Sequence, residues 1–414
     1  MAEPTVEEVK AEVEAWVGEN WDADISVREW WRRLADARWT APGFPEPWGR
    51  GWSGSLARVV GAAITGAGAI PPPGGLGLML AAQTIFSHGS PEQHATYLPG
   101  ILEGTDGWCQ LFSEPAAGSD LAGLRTMAVR DGDEWVVTGQ KVWTSMGQFA
   151  DLGMLIARTD PEAPKHLGIT YFAFPMLQQG VEVRPLREMT GRSIFNEVFL
   201  DEARVPHANI IGDLHGGWRV ANTTLMVERS GIGGGAGGVS TAIPGTVAGH
   251  LDRRAGDFIG DRPALAAGGV GYRTSQLLLD LASDAGRRDD PLVRQELAGL
   301  HSSIELGRLA GLRAKAGGAR TGGEGNLGKI AMTQTIHQAR HVGGALLGPG
   351  LTIDGADSPG GGVLQELTTF SPAPGIYGGT DEVQRNILGE RVLGLPKEPG
   401  PDRDTPFREL PPNG

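Results

Sequence analysis

The sequence predicts an α+β protein of several fused domains, helical at both ends and β-rich in the middle. Three observations carry this. Over residues 4–108 apolar residues fall mostly at helical spacing. From about 109 to 213 the chain turns to short segments rich in Val, Ile, Phe and Tyr, separated by turn residues, as in a small antiparallel barrel or sandwich. From about 214 to 395 helical spacing returns. The expected domains are therefore 1–108 helical, 109–213 β-barrel and 214–395 helical, followed by a proline-rich tail, 396–414, that reads as extended or disordered.

The elements follow in order. Thr5 and Glu8 make a capping-box start to VEEVKAEVEAWV. PEPWGRGW and IPPPGG break the helical pattern as loops, and PEQHATYLPGILEG reads as a helix with Pro91 in its first turn. DEWVVTGQKVWTS, LGMLIARTD, GITYFAFPM, GVEVRPL and NEVFLDEARVP read as strands. GWRVANTTLMVERSGI, YRTSQLLLDLASDA, PLVRQELAGLHSSIELGRLAGLRAKA and TQTIHQARHVGGAL read as helices.

Bulk properties bound the function. The 414 residues, 40 % of them hydrophobic, can bury sizeable cores. The single cysteine, Cys109, excludes an intrachain disulfide framework and fits a reducing, cytoplasmic setting. A net charge of −13 argues against non-specific nucleic-acid binding. No stretch reads as a secretory signal or a membrane span, and no metal site is expected.

Three segments concentrate the chemistry. QLFSEPAAGSD (110–120) offers small residues and free amides that allow close approach to a flat ring and phosphates; by itself it is equally an ordinary loop. VTGQKVWTS (137–145) carries Trp143 and Ser145, an aromatic plate with a hydroxyl beside it, although a lone strand tryptophan is more often core. IYGGTDEVQRN (376–386) is the third. In VANTTLMVERSGI, Glu228 falls with Ala221, Leu225 and Ile232 on one helical stripe. A carboxylate buried there would be raised in pKa toward the range of a general base; the plain alternative is a half-solvated Glu-Arg pair at a helix end.

Together and in this order, the three segments resemble the signatures of the acyl-CoA dehydrogenases, over roughly 45–395. The resemblance implies a middle β-barrel between an N-terminal helical domain and a C-terminal four-helix bundle, with FAD as cofactor and an acyl-CoA as substrate. Gln110, Phe112 and Ser113 match positions lining the flavin. Trp143 matches the residue covering one ring face, and Ser145 the one near the flavin N5 and O4 edge. Ser119 matches a position near cofactor and acyl-CoA, and Arg229 and Tyr377 are further substrate-side candidates. Thr380 and Glu382 match cofactor contacts, the second usually glutamine. Arg340 stands where relatives have a glutamine reaching a neighbour's FAD, and Gly344 belongs to the retained double glycine.

The residue after Tyr377 is usually the glutamate that removes the substrate α-proton; here it is Gly378. A minority of the family carries the base in a Glu-Arg pair on the earlier helix, and this chain has Glu228-Arg229. The implied reaction is α,β-dehydrogenation to a 2-enoyl-CoA. Glu228 takes the proton, the Gly378 N–H polarises the thioester carbonyl and flavin N5 accepts hydride. Bulky acyl groups, steroid-side-chain esters among them, follow on analogy alone. Relatives also carry an Arg-x-x-Phe-Gly motif reaching across a dimer interface. Here only Arg287 and Arg288 offer a degenerate substitute, so a homo- or heterotetramer with a second family chain is expected, with electron-transfer flavoprotein as acceptor. Three other readings stand beside this one: a non-catalytic subunit, an acyl-CoA oxidase, and a nicotinamide-binding fold built on GIGGGAG (231–237), whose context lacks the required preceding strand.

Overall fold

Helix α1 (Val6–Asn20) begins where the sequence places it. The Glu8 N–H donates to Thr5 Oγ1 (3.3 Å) and the Thr5 N–H to Glu8 Oε2 (2.8 Å), a reciprocal cap. The computed structural model describes residues 3–232, 241–260, 272–316, 322–353, 355, 357–397 and 404–411. In the N-terminal region α1 is followed by α2 (Val27–Asp36), α3 (Gly54–Gly66), α4 (Ala82–His88) and α5 (Pro91–Leu102). Ser90 and Gln93 form a second capping box, with Pro91 at the first helical position. Trp30, Trp31 and Trp39 are buried in this region's core. The indole N–H groups of Trp30 and Trp31 donate to the Ile70 and Pro71 carbonyls (2.8 and 3.1 Å), anchoring the IPPPGG loop.

The middle region holds seven strands: β1 (Trp108–Leu111), β2 (Met127–Asp131), β3 (Glu134–Ser145), β4 (Leu152–Arg158), β5 (Ile169–Pro175), β6 (Val181–Leu186) and β7 (Phe195–Pro206). They form one sheet in the order β1-β4-β2-β3-β7-β6, with β5 on β4. The pairing is antiparallel except that β1 and β2 meet β4 in parallel. Strands β4 and β5 are buried along almost their whole length, which explains their unbroken apolar runs. The antiparallel pair β3–β7 carries register shifts at Val137/Gly139 and at Lys141/Thr144.

Helix α6 (Gly217–Ile232) leaves the sheet and packs on β5 and α4. A helix therefore precedes the glycine cluster, which rules out a strand–turn–helix dinucleotide loop there; residues 233–240 lie outside the described set. The stretch 241–260 returns to the N-terminal region. Val27 N–H donates to the Arg253 carbonyl (2.9 Å), Ala255 N–H to Ile25 (2.8 Å), and Phe258 joins the tryptophan-rich core.

Helices α7 (Tyr272–Asp284), α8 (Pro291–Lys315), α9 (Glu324–Leu347) and α10 (Val363–Phe370) share one core, built on Leu278, Leu300, Ile336, Val342 and Leu367. The short α11 (Asp381–Ile387) lies on α9. Of the tail, residues 404–411 dock on the middle region. Phe407 is buried over the guanidinium of Arg158 (3.6 Å to the ring centre), and its N–H donates to the Ala163 carbonyl (3.0 Å). No described helix is long and apolar enough to cross a membrane.

Candidate active site

The first two signature segments form one structural unit. Val142 N–H donates to the Ser113 carbonyl (2.9 Å), laying the Ser-Glu-Pro loop along β3. Beneath it Lys141, fully buried, donates to Glu114 Oε1 (2.8 Å) and to the Phe112 carbonyl (3.0 Å). The Glu114 carboxylate also accepts the Arg125 and Thr126 N–H groups (2.6 and 3.0 Å). Burial works to raise the Glu114 carboxyl, but Lys141 and the hydrogen bonds outweigh it and hold the group below its ordinary value. Burial lowers the Lys141 ammonium, against the pull of Glu114.

Above this pair the chain is strained. Trp143, in the second register shift of β3, has φ +60°, and its side chain is turned outward, 61 % exposed, edge-on to Phe195 (5.9 Å). Ser145 is half-buried, and its hydroxyl meets no partner among the described residues. Gln110 is half-buried, Phe112 is core against Tyr171 (5.9 Å), and Ser119 is exposed just past the Glu114–Ala117 turn.

Helix α6 carries the candidate carboxylate, Glu228. Ala221 is buried, Leu225 packs on the core and Glu228 is half-buried. The side chains of Arg229 and Ile232 lie outside the described set. Toward its N-terminus the helix walls a groove of about 470 Å³, lined by Trp218, Asn222, Met226, His166, Leu167 and His215. His166 stands edge-on to Trp218 (5.0 Å), and burial, with Lys165 beside it, holds its imidazole below the ordinary value.

The third signature is a tight turn. Gly378 and Gly379 have φ +64° and +85°, conformations natural to glycine. The Gly378 N–H donates to no acceptor among the described residues. Its carbonyl accepts from Gln384 Nε2 (2.7 Å), and Gln384 is itself fully buried. Tyr377 is half-buried near Phe370 (6.3 Å), and burial raises its phenol. Thr380 caps α11 by accepting the Val383 N–H (3.2 Å); Glu382 is exposed beside Arg385 (3.7 Å). Arg340 donates to Ser371 Oγ (3.1 Å), and the half-buried Gly344 lies one turn further along α9.

The structure thus groups Gln110, Phe112, Ser113, Trp143 and Ser145 around the β1–β3 unit, and Arg340, Gly344, Tyr377, Thr380 and Glu382 around α9. Glu228 stands on α6, a helix that contacts both β5 and α9. Arg287, a degenerate interface candidate, is engaged inside its own chain, donating to Asp290 Oδ2 (2.8 Å) and the Ala345 carbonyl. Sequence reasoning assigned no role to Glu114, Lys141, Asn326 or Gln384. The signal for the first two is a charge of each sign flanking an apolar strand, each too buried to stand alone. Among the described residues no His, Cys, Asp and Glu cluster could hold a metal.

Comparison with known proteins agrees with this architecture. Residues 1–105, 109–203 and 262–393 match the N-terminal, middle and C-terminal domains of acyl-CoA dehydrogenase. The acyl-CoA dehydrogenase IpdE1 of Mycobacterium tuberculosis is 34 % identical, over 95 % of this chain and 98 % of its own. Among solved structures, the Tcur3481-Tcur3483 steroid ACAD superposes with a TM-score of 0.72 at 29 % identity, covering 96 % of this chain and 99 % of its own. The ChsE4-ChsE5 complex from Mycobacterium tuberculosis gives 0.70 at 28 %, with the same coverage. With all three domains present in order on a shared fold, the chain belongs to the acyl-CoA dehydrogenase family of oxidoreductases.

Proposed function

We propose that this chain is an FAD-dependent dehydrogenase of bulky acyl-CoA thioesters in which Glu228 is the base and the Gly378 N–H the carbonyl donor. The observation that carries the reading is the unengaged N–H on a glycine turn whose carbonyl is already held. The family's usual base position has no side chain here, so the proton acceptor must come from another element. Glu228, half-buried in the C-terminal half of α6, is the acceptor assigned here.

The residues present fit a flavin: an outward-turned tryptophan on a strained bulge, a free hydroxyl at Ser145 and the exposed loop carrying Ser119. Trp143 and Ser145 would hold the ring, with Gln110, Phe112 and Ser113 beside it and Arg340, Gly344, Thr380 and Glu382 on the α9 side. FAD, when bound, accepts the β-hydrogen as hydride. The chain's own part is the α-proton. Hydrogen bonding from Gly378 N–H to the thioester oxygen acidifies the α-carbon, and the Glu228 carboxylate takes its proton. The α C–H electron pair becomes the new C=C bond, leaving a 2-enoyl-CoA. The groove along α6 would take the acyl-CoA, Tyr377, Arg229 and Ser119 are further substrate-side candidates, and the missing side chain at position 378 leaves room for a bulky acyl group.

Similarity to a steroid ACAD and to a two-chain complex supports steroid-side-chain esters as the substrate class and a second family chain as partner. Electron-transfer flavoprotein is the proposed acceptor. The test is Glu228→Gln in the FAD-loaded protein or complex. Anaerobic flavin reduction by acyl-CoA is expected to slow by roughly 10²–10⁴-fold with FAD content unchanged. An unchanged rate removes Glu228 from the mechanism.

A further inference from the structure

Helix α9 carries a polar stripe that an interior helix would be expected to avoid. Asn326, Lys329, Thr333, His337 and Arg340 follow one another at spacings of three or four residues, on one face. Every one of them is spent on the segment 371–384. Arg340 holds Ser371 Oγ (3.1 Å), and His337 Nε2 lies 3.0 Å from the Ser371 carbonyl. Thr333 Oγ1 lies within hydrogen-bonding distance of the Pro374 carbonyl (3.2 Å) and of Asp381 Oδ1 (3.1 Å), one of which takes its single proton. Lys329, almost fully buried, pairs with the same Asp381 oxygen (2.8 Å). Asn326 Nδ2 donates to Gln384 Oε1 (2.5 Å).

The last contact is the one with a consequence for chemistry. Gln384 has no solvent exposure, and both ends of its amide are used. Its nitrogen donates to the Gly378 carbonyl (2.7 Å), an acceptor only, which fixes which end is the nitrogen, and its oxygen accepts from Asn326. On the other side, Tyr377 N–H donates to the Ala373 carbonyl (3.0 Å). Gly378 lies between these two tethers. Two consecutive glycines can otherwise sample many backbone states, so an N–H aimed at a substrate needs its neighbours fixed. A methyl group added at Gly379 would meet Gln384 Nε2 at 2.7 Å, so the amide sits hard against the turn.

We propose that Gln384 and Asn326 are positioning residues that aim the Gly378 N–H at the thioester carbonyl. This rests on the assignment of Gly378 as carbonyl donor. An interaction that is stronger in the transition state than with bound substrate appears in kcat and hardly in KM. Losing an oxyanion donor outright costs about 10²–10³-fold, so loosening one costs less.

The experiment uses FAD-loaded protein, with its partner chain where one is needed, and three forms: wild type, Gln384→Met and Asn326→Leu. The second substitution never touches Gly378 and keeps the test open should Gln384→Met fail to fold. Isotope-edited infrared spectroscopy of bound acyl-CoA, labelled with carbon-13 at the thioester carbonyl, reads its polarisation directly. Wild type should lower the carbonyl frequency relative to free acyl-CoA. Gln384→Met should lose most of that lowering and about tenfold in kcat, and Asn326→Leu about threefold, each with KM within about twofold. If wild type shows no lowering, the Gly378 assignment is wrong. If wild type shows it and both variants keep it with unchanged kcat, Gly378 stands and the relay is overturned. A fall in thermal stability with the carbonyl frequency and kcat preserved likewise reduces the relay to a structural role.

Discussion

Trp143 holds a left-handed backbone conformation, φ +60°, that costs an aromatic residue about 1–3 kcal/mol. In return its ring leaves the strand face and stands 61 % exposed, where it gains little from the core. Within the chain the exchange gains only the edge-on contact with Phe195, and it is intelligible if the ring covers a planar ligand. Trp143→Gly separates the two roles. Glycine adopts the same φ freely, so the apoprotein should melt no lower than wild type. Flavin affinity should fall roughly two- to thirteenfold, the worth of an aromatic stack of about 0.5–1.5 kcal/mol. Titration of apoprotein with FAD, beside thermal melts, checks both; a large drop in melting temperature with unchanged flavin affinity would make Trp143 a packing residue. Gly378 and Glu228 belong at this scale too. Their significance lies in types at two positions, a glycine where a carboxylate is usual and a carboxylate on an apolar stripe, and both were legible in the sequence.

Between elements, legibility depended on whether the determinant was local. The capping box of α1 and the Pro91 start of α5 were legible because their determinants lie within one turn; the Ser90–Gln93 box of α5, equally local, was not singled out. The strands β3 to β7 announced themselves by apolar, β-branched runs. Strand β1 has four residues and β2 is MAVRD, half charged, so neither stood out. Their parallel pairing to β4 depends on the path of the chain, which no short window records. The same holds for Glu114 and Lys141, which lie in different signatures and meet only when the loop is laid on β3. This pair gives a test at the scale of two elements. Lys141→Met leaves a carboxylate buried without its ammonium and should destabilise the fold by about 3–5 kcal/mol. The double variant Lys141→Met/Glu114→Gln removes both charges and should recover much of that loss, as denaturant melts would reveal. If the single and double variants melt alike, the pair is not what joins the two segments.

The whole molecule carries one feature that a single chain does not explain. The C-terminal half of α8 is open to solvent, and Leu306, Leu309 and Leu312 are 67, 49 and 51 % exposed on it. Leu279 of α7 and Leu327 of α9 add 41 and 49 %. Covering one leucine is worth about 1.5–3 kcal/mol, and a chain of net charge −13 has polar residues enough to have avoided leaving several bare. The cross-subunit arginine motif is missing from the α7–α8 stretch, and Arg287, which stands there, is committed to Asp290. A partner supplying its own cofactor-side residues against α8 accounts for both observations, whereas a symmetric homotetramer accounts only for the leucines. Expressed alone, the chain should therefore elute as small or heterogeneous oligomers with well under one FAD per chain. Co-expressed with the proposed second family chain, it should form a stable complex whose flavin matches one FAD per pair. Leu309→Asp should break that complex while leaving the chain's own melting temperature within a few degrees, since a surface leucine contributes little to the isolated fold. A stable homotetramer of the chain alone, fully loaded with FAD and active, would falsify the two-chain assembly and leave α8 as the interface between identical copies.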